Sequence, residues 1–202
     1  MRQRVLILLA AALLAACDDS TGTQVVQRNE TDLAFLRTAD DAPPLASIVA
    51  SFWAVRGEER ELRLSYRSRP GRTDSTEFLR LRIGDASLVT LPSGLPIALG
   101  DSLLITVTVI DPARMIVELQ PAGLLFARGE PAELEMRYRE ADPDYDDDGD
   151  VDEDDARIEQ RLGIWRQEAV GQPWVRISTD VRVDSDDVKA DLTGFTRYAI
   201  AY

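Results

Sequence analysis

The chain has no histidine, one cysteine and one lysine in 202 residues. These absences exclude disulfides within the chain, cysteine or histidine nucleophiles, and zinc sites built from the usual nitrogen and sulfur donors. Catalysis would fall to carboxylates and hydroxyls, or to Lys189, and a lone lysine in the polar run DSDDVKADL reads as a solvated surface charge. Base is scarce overall: 23 Lys and Arg stand against 36 Asp and Glu, a net charge of -13. No basic stripe is present to neutralise phosphates, and the arginines alternate with apolar residues as the outer faces of strands do, which argues against a nucleic-acid partner. Long apolar runs are also missing. The longest, near the N-terminus, is about 12 residues against the roughly 20 that a spanning helix needs.

That short run has a context. Arg2 and Arg4 precede an apolar stretch over 5–14, and Leu14-Ala15-Ala16-Cys17 follows it. The order is similar to a bacterial lipoprotein signal with its lipobox. The resemblance implies cleavage before Cys17, acylation of Cys17, and an extracytoplasmic protein of the cell envelope held to a membrane by its N-terminal lipid. Residues 1–16 are then the signal peptide, and 17–44 the acylated cysteine and a flexible tether, polar in composition and ending in Pro43-Pro44. Leu33, Phe35 and Leu36 give this tether a means of docking. Residues 45–202 remain for a domain, enough for one well-buried core. Without the signal, 21 basic residues face 36 acidic ones, and residues 140–155 carry eleven of those acids and no base, so the acidity is local.

From Ser47 onward, apolar residues recur with period two. Leu62, Leu64 and Tyr66 alternate with Arg63 and Ser65; Leu79, Leu81 and Ile83 with Arg80 and Arg82; Ile105, Val107 and Val109 with Thr106 and Thr108; Leu134, Met136 and Tyr138 with Glu135 and Arg137. Looser runs cover 164–166, 174–177, 181–183 and 198–202. Alternation gives a strand one dry face and one wet one. Turn signals such as Arg69-Pro70-Gly71, Pro92-Ser93-Gly94 and Asp111-Pro112 separate the runs. Half-wet strands hide their apolar faces by stacking sheets, so the pattern predicts an all-β fold, an antiparallel β-sandwich. One short helix is expected over 153–162, where Ile158 and Leu162 share a face and Gly163 stands at the C-terminal cap.

The helix follows an acidic metal-binding-type loop, DYDDDGDVDEDD at 144–155, with nine acids in twelve residues. Counting Asp144 as position 1, carboxylates fall at 1, 3, 5, 9 and 12 (Asp144, Asp146, Asp148, Asp152, Asp155), Gly149 lies at 6, and Asp150 at 7 offers its backbone carbonyl. A hard divalent cation takes 6–8 oxygens at about 2.3–2.6 Å, so a loop that binds one sends alternate side chains inward and turns sharply where glycine is easy. A solvated acidic linker has no need of that order. The loop resembles the calcium loops of EF-hands, and more closely those of dockerins, which also close with aspartate at the twelfth position. Pro143 and the strand-like run before it exclude an entering helix. The resemblance implies calcium as the ion, magnesium as its competitor, and Asp144, Asp146, Asp148, Asp150, Asp152 and Asp155 as ligands.

Pro121, Gly123, Leu124, Phe126, Pro131, Ala132 and Leu134, followed by Trp165, Trp174, Phe195, Tyr198 and Ala199, carry a second likeness. Over about residues 75–202 the chain resembles the β-sandwich domain shared by ankyrins and netrin receptors, the ZU-five type, in its bacterial lipoprotein form. Such domains are non-catalytic interaction and scaffold modules, so the resemblance implies no catalytic residues and a protein or glycan partner of unknown identity. The reading that results is a non-enzymatic envelope lipoprotein with a structural calcium loop. Two alternatives stand beside it. A carboxylate-based glycoside hydrolase would need an acid and a base in contrasting surroundings. A calcium-dependent glycan-binding module would stack sugars on Trp53, Trp165 or Trp174, residues that in a small sandwich more commonly fill the core.

Overall fold

Residues 25–73 and 75–202 are described by a computed structural model. Cys17 and the signal segment lie outside the described residues. The period-two runs form strands β1 (Gln27–Arg28), β2 (Val49–Val55), β3 (Arg60–Ser65), β4 (Glu77–Ile83), β5 (Leu88–Thr90), β6 (Ser102–Asp111), β7 (Ile116–Gln120), β8 (Leu125–Phe126) and β9 (Ala132–Arg137). After the helix α1 (Glu153–Glu159) come β10 (Gly163–Gln167), β11 (Trp174–Arg176), β12 (Asp180–Arg182), β13 (Asp187–Leu192) and β14 (Arg197–Ala201). Seven strands make one sheet in the order β1-β11-β10-β14-β7-β6-β2, and five make a second, β12-β13-β9-β4-β3; β5 and β8 form a short ribbon. Every pairing is antiparallel. The fold is all-β and sandwich-like, as the alternation requires.

The core lies between the sheets. Ile105, Val107, Leu119, Ile164 and Ile200 of the larger sheet and Leu79, Leu81, Leu134, Met136 and Val188 of the smaller are fully buried in one cluster. Each such side chain stabilises the fold by about 1.5–3 kcal/mol relative to exposure. The wet face of the smaller sheet carries charge in a cross-strand lattice. Glu135 on β9 accepts from Arg80 on β4, Arg137 beside it and Arg182 on β12, and these arginines cover it until it is 1% exposed. Lys189 belongs to this lattice as well, reaching Glu133 from the interior strand β13. The run that contains it is a strand with Val188, Ala190 and Leu192 turned inward, and Lys189 is only partly exposed.

The stretch before residue 45 differs from the expected tether. Gln27 and Arg28 pair with β11, and the chain then crosses the outer face of the larger sheet, where Leu33 and Phe35 pack on Trp165 and Trp174. It finishes by joining the sheet. Partner β7 follows β14 only as far as Tyr198, and beyond that point Phe35 bridges Ala201, Leu36 N–H donates to Ile200, and Tyr202 N–H donates to Ala34. The physical reason is the pair of indoles, which would otherwise stand in water on the outer face. Residues 27–44 are therefore part of the folded body, and Trp165 and Trp174, each 1% exposed, are core residues. Among the described residues no helix is long and apolar enough to cross a membrane.

The helix is also shorter than expected. It ends at Glu159, with Gln160 in right-handed geometry at its C-terminal boundary, so Gly163 is no helix cap. Gly163 opens β10 instead, and a Cβ there would meet the Arg176 guanidinium, which donates at 3.0 Å to the carbonyls of both Arg161 and Leu162. The helix-end carbonyls of Ile158 and Glu159 accept from Arg161 N–H and Leu162 N–H, and the arginine from β11 holds the turn that follows.

Candidate metal centre

The loop begins where the β9 ladder runs out. Tyr138 N–H turns to Asp186, Ala39 N–H donates to Glu140, and Asp142 N–H donates to Arg37, so the crossing N-terminal segment guides the chain into the loop. Pro143 carries no donor and no helix enters. Asp144 then organises the turn: its Oδ1 accepts from Asp148 N–H at 3.1 Å and its Oδ2 from Gly149 N–H at 2.9 Å. Gly149 has φ +98° with open space around its Cα, so the backbone conformation alone calls for glycine there. Asp148 accepts from Asp150 N–H at 3.1 Å. The result is a tight bend whose alternate side chains share one side.

On that side, oxygens of Asp144, Asp146 and Asp148 all lie within 4.8 Å of one another. These are three of the six residues expected as ligands. Asp150, the fourth, has an exposed side chain, in keeping with a role for its carbonyl. Asp152 and Asp155 lie outside this triad and hold the start of α1. The Asp152 carboxylate accepts from Asp154 N–H at 2.7 Å, while Asp155 Oδ2 accepts from Asp152 N–H at 2.9 Å, a reciprocal capping box. Asp155 Oδ1 also takes Tyr145 N–H at 2.6 Å and stitches the two ends of the loop together. It is 2% exposed.

The other acids are spoken for. Asp147 pairs with Arg37 at 2.9 Å, and Glu153 and Asp154 both pair with Arg157. Among the described residues, none of Asp144, Asp146, Asp148, Asp150, Asp152 and Asp155 has an arginine or lysine partner. The acids left without a cation are the six at the liganding offsets. Their titration divides accordingly. Backbone donation from Asp152, and then from Tyr145 and Asp146, holds Asp155 below the usual carboxylate range. Asp146 is raised by burial and by the charges of Asp148 and Asp155, and Asp150 by the charges of Asp148 and Asp152. A carboxylate raised by its neighbours is one that gains from a proton or a cation.

The donor set is oxygen alone, which suits calcium or magnesium and not the softer transition metals. Asp144, Asp146 and Asp148 fit the role of side-chain ligands, with the Asp150 carbonyl beside them. Asp155 Oδ2 accepts one N–H and keeps a second lone pair for an ion.

Three residues that sequence reasoning passed over hold the loop to the body. Tyr145 packs on the core and its carbonyl accepts from the Tyr202 hydroxyl, while Arg37 grips Asp147 from the N-terminal segment. Under α1, the Tyr138 hydroxyl donates to Glu159 at 3.0 Å, and burial and that carboxylate both push its ionisation upward. Tyr145 had a signal in its position: it stands second, between inward-facing acids, and so points away from the ion side. Arg37 and Tyr202 had none, being distant in sequence. Compared with protein-family models, with curated proteins and with solved structures, the chain has no match.

Proposed function

We propose that this is a lipid-anchored, non-enzymatic protein of the cell envelope whose β-sandwich serves as an interaction or scaffold module and whose 144–155 loop takes up one calcium ion to fix the crossover from β9 to β10. The observation that carries the calcium reading is the convergence of Asp144, Asp146 and Asp148, oxygens within 4.8 Å, at a left-handed glycine, with every neighbouring off-offset acid drawn away by an arginine. The likeness of residues 75–202 to ZU-five domains supports the scaffold part, and the Cys17 lipobox supports the anchor. Calorimetric titration tests the ion: calcium binds at one site with a dissociation constant on the order of 0.1–1 mM, as extracellular loops do, and an Asp144→Ala, Asp148→Ala variant shows no heat. Absence of heat in the unaltered protein contradicts the reading.

A second reading, a glycan- or protein-binding module, rests on Trp53. It is 60% exposed on the edge strand β2, opposite Leu104 on β6, with Val49 outward on the same face. Glycan binding of this kind quenches or shifts tryptophan fluorescence in the unaltered protein and not in Trp53→Ala; identical responses from the two remove it.

A further inference from the structure

The two large sheets end in four edge strands, β1 and β2 in one and β12 and β3 in the other. A sheet edge offers unpaired N–H and C=O groups to any extended chain, so folded proteins blunt it with charge, short length, bulges or a covering segment. β1 has two residues, one of them Arg28, and β12 has three, Asp180 and Arg182 among them. β3 carries Arg60, Glu61 and Arg63 and is covered at its end, where Ala46 N–H donates to Ser65 and Leu45 bridges Tyr66. β2 has none of these devices. It runs for seven residues, VASFWAV, without charge, proline or bulge.

The free groups of β2 follow from its register. Val109 N–H donates to Ile48 and Arg56 N–H donates to Asp101, so the even-numbered residues between them face β6 and the odd-numbered ones face away. At the two ends these outward groups are occupied. Ser47 Oγ accepts from Val49 N–H and donates to the Val49 carbonyl, and the Val55 carbonyl accepts from Glu58 N–H. Ser51 and Trp53 lie between, and their backbone N–H and C=O have no partner among the described residues. Ala50 and Phe52 point into the core yet stay half-buried, because no strand flanks them.

Charge and symmetry select the occupant. A chain of net charge -13 repels its own copies over most of its surface, but residues 45–66, which hold β2, β3 and the turn between them, set Arg56, Arg60 and Arg63 against Glu58, Glu59 and Glu61 and are neutral. The open window is also self-complementary. Antiparallel pairing about a two-fold axis at Phe52 puts Ser51 of each copy opposite Trp53 of the other, where the two exchange both backbone hydrogen bonds. The small serine leaves room for the indole on the outer face, Val49 meets Val55, and the two Phe52 rings meet across the axis and close the open side of the core. We infer that β2 pairs with β2 of a second copy, forming a two-fold antiparallel dimer with one sheet continuous across it. The pairing is independent of calcium and of the lipid anchor.

Sedimentation of the full chain in EDTA and a non-ionic detergent tests this without the acidic loop or the apolar N-terminal run. The expected result is a monomer–dimer equilibrium with a dissociation constant on the order of 10–100 µM, as an interface below standard size gives, with amide exchange at Ser51 and Trp53 slowing as the dimer forms. Ser51→Pro removes an outward N–H at an edge position that tolerates proline, and Trp53→Lys puts a charge on the edge; each weakens the dimer at least about tenfold. Val170→Lys, at an exposed apolar residue of the β10–β11 turn, leaves it unchanged. Unfolding curves confirm that the variants fold; if Ser51→Pro does not, Trp53→Lys decides. A chain that stays monomeric up to about 500 µM leaves the edge to a strand from another protein and overturns the inference. So do assemblies larger than a dimer, or a dimer that the edge variants leave intact.

Discussion

Asp144 and Gly149 divide the work of the loop between hydrogen bonding and conformation. The first gathers two backbone donors and offers an oxygen to the triad; the second permits φ +98°. Gly149→Ala adds a methyl group into open space, so its cost is backbone strain alone, about 1–2 kcal/mol. Calcium affinity in a titration should fall roughly tenfold or more, since the ion requires that bend. Glu135 acts at the same scale on the opposite face. Its burial favours the neutral form, yet Arg80 and then Arg137 hold its ionisation below the usual range. Glu135→Gln removes the carboxylate that Arg80, Arg137 and Arg182 share, while Arg137 keeps Glu77 and Arg182 keeps Asp187, and chemical denaturation should register a loss of about 1–3 kcal/mol, the partly exposed arginines screening the rest.

Among the elements, the N-terminal segment carries the sharpest prediction. Leu36 is 1% exposed, so Leu36→Ala should destabilise the protein by about 2–5 kcal/mol in a denaturant titration, whereas the same change in a free tether would register under about 0.5 kcal/mol. Sequence periodicity makes β3, β4, β6 and β9 legible because each has one wet face. At β14 it gives only the looser run over 198–202, because RYAIA is buried on both sides once the N-terminal segment covers it. It passes over β13, where Val188, Ala190 and Leu192 do alternate with Lys189 and Asp191 but the small alanine and the polar run before them weaken the signal. At the loop, spacing alone identifies the triad and the glycine. What spacing does not reveal is that Asp152 and Asp155 serve the helix start, because capping and liganding call on the same residue type at the same offsets. Nor does local sequence reveal that Arg176, thirteen residues beyond Gly163, holds the turn after the helix, because strand pairing brings β11 beside β10.

The whole molecule sets two opposing pH trends against each other. Glu135 and Asp155 have folded ionisations below their unfolded values, so their contribution is fully present above about pH 4.5 and is lost as pH falls through the folded values. Asp146 and Asp150 are raised, so the folded chain holds their protons more tightly and gains stability as pH falls from neutrality into the ordinary carboxylate range. In EDTA the melting temperature should therefore rise slightly on acidification from pH 7 toward about 5 and fall below about 4. With calcium the first rise should vanish, because the ion keeps those carboxylates charged.

The most direct measurement compares thermal unfolding in calcium, in magnesium and in EDTA for the unaltered protein and for Asp144→Ala, Asp148→Ala. At 10 mM calcium, a site of the expected affinity adds about 1.4–2.7 kcal/mol, or about 3–10 °C. The account predicts that gain in calcium, a smaller one in magnesium, and none in the double variant. Coincident melts of the unaltered protein in all three solutions would contradict it.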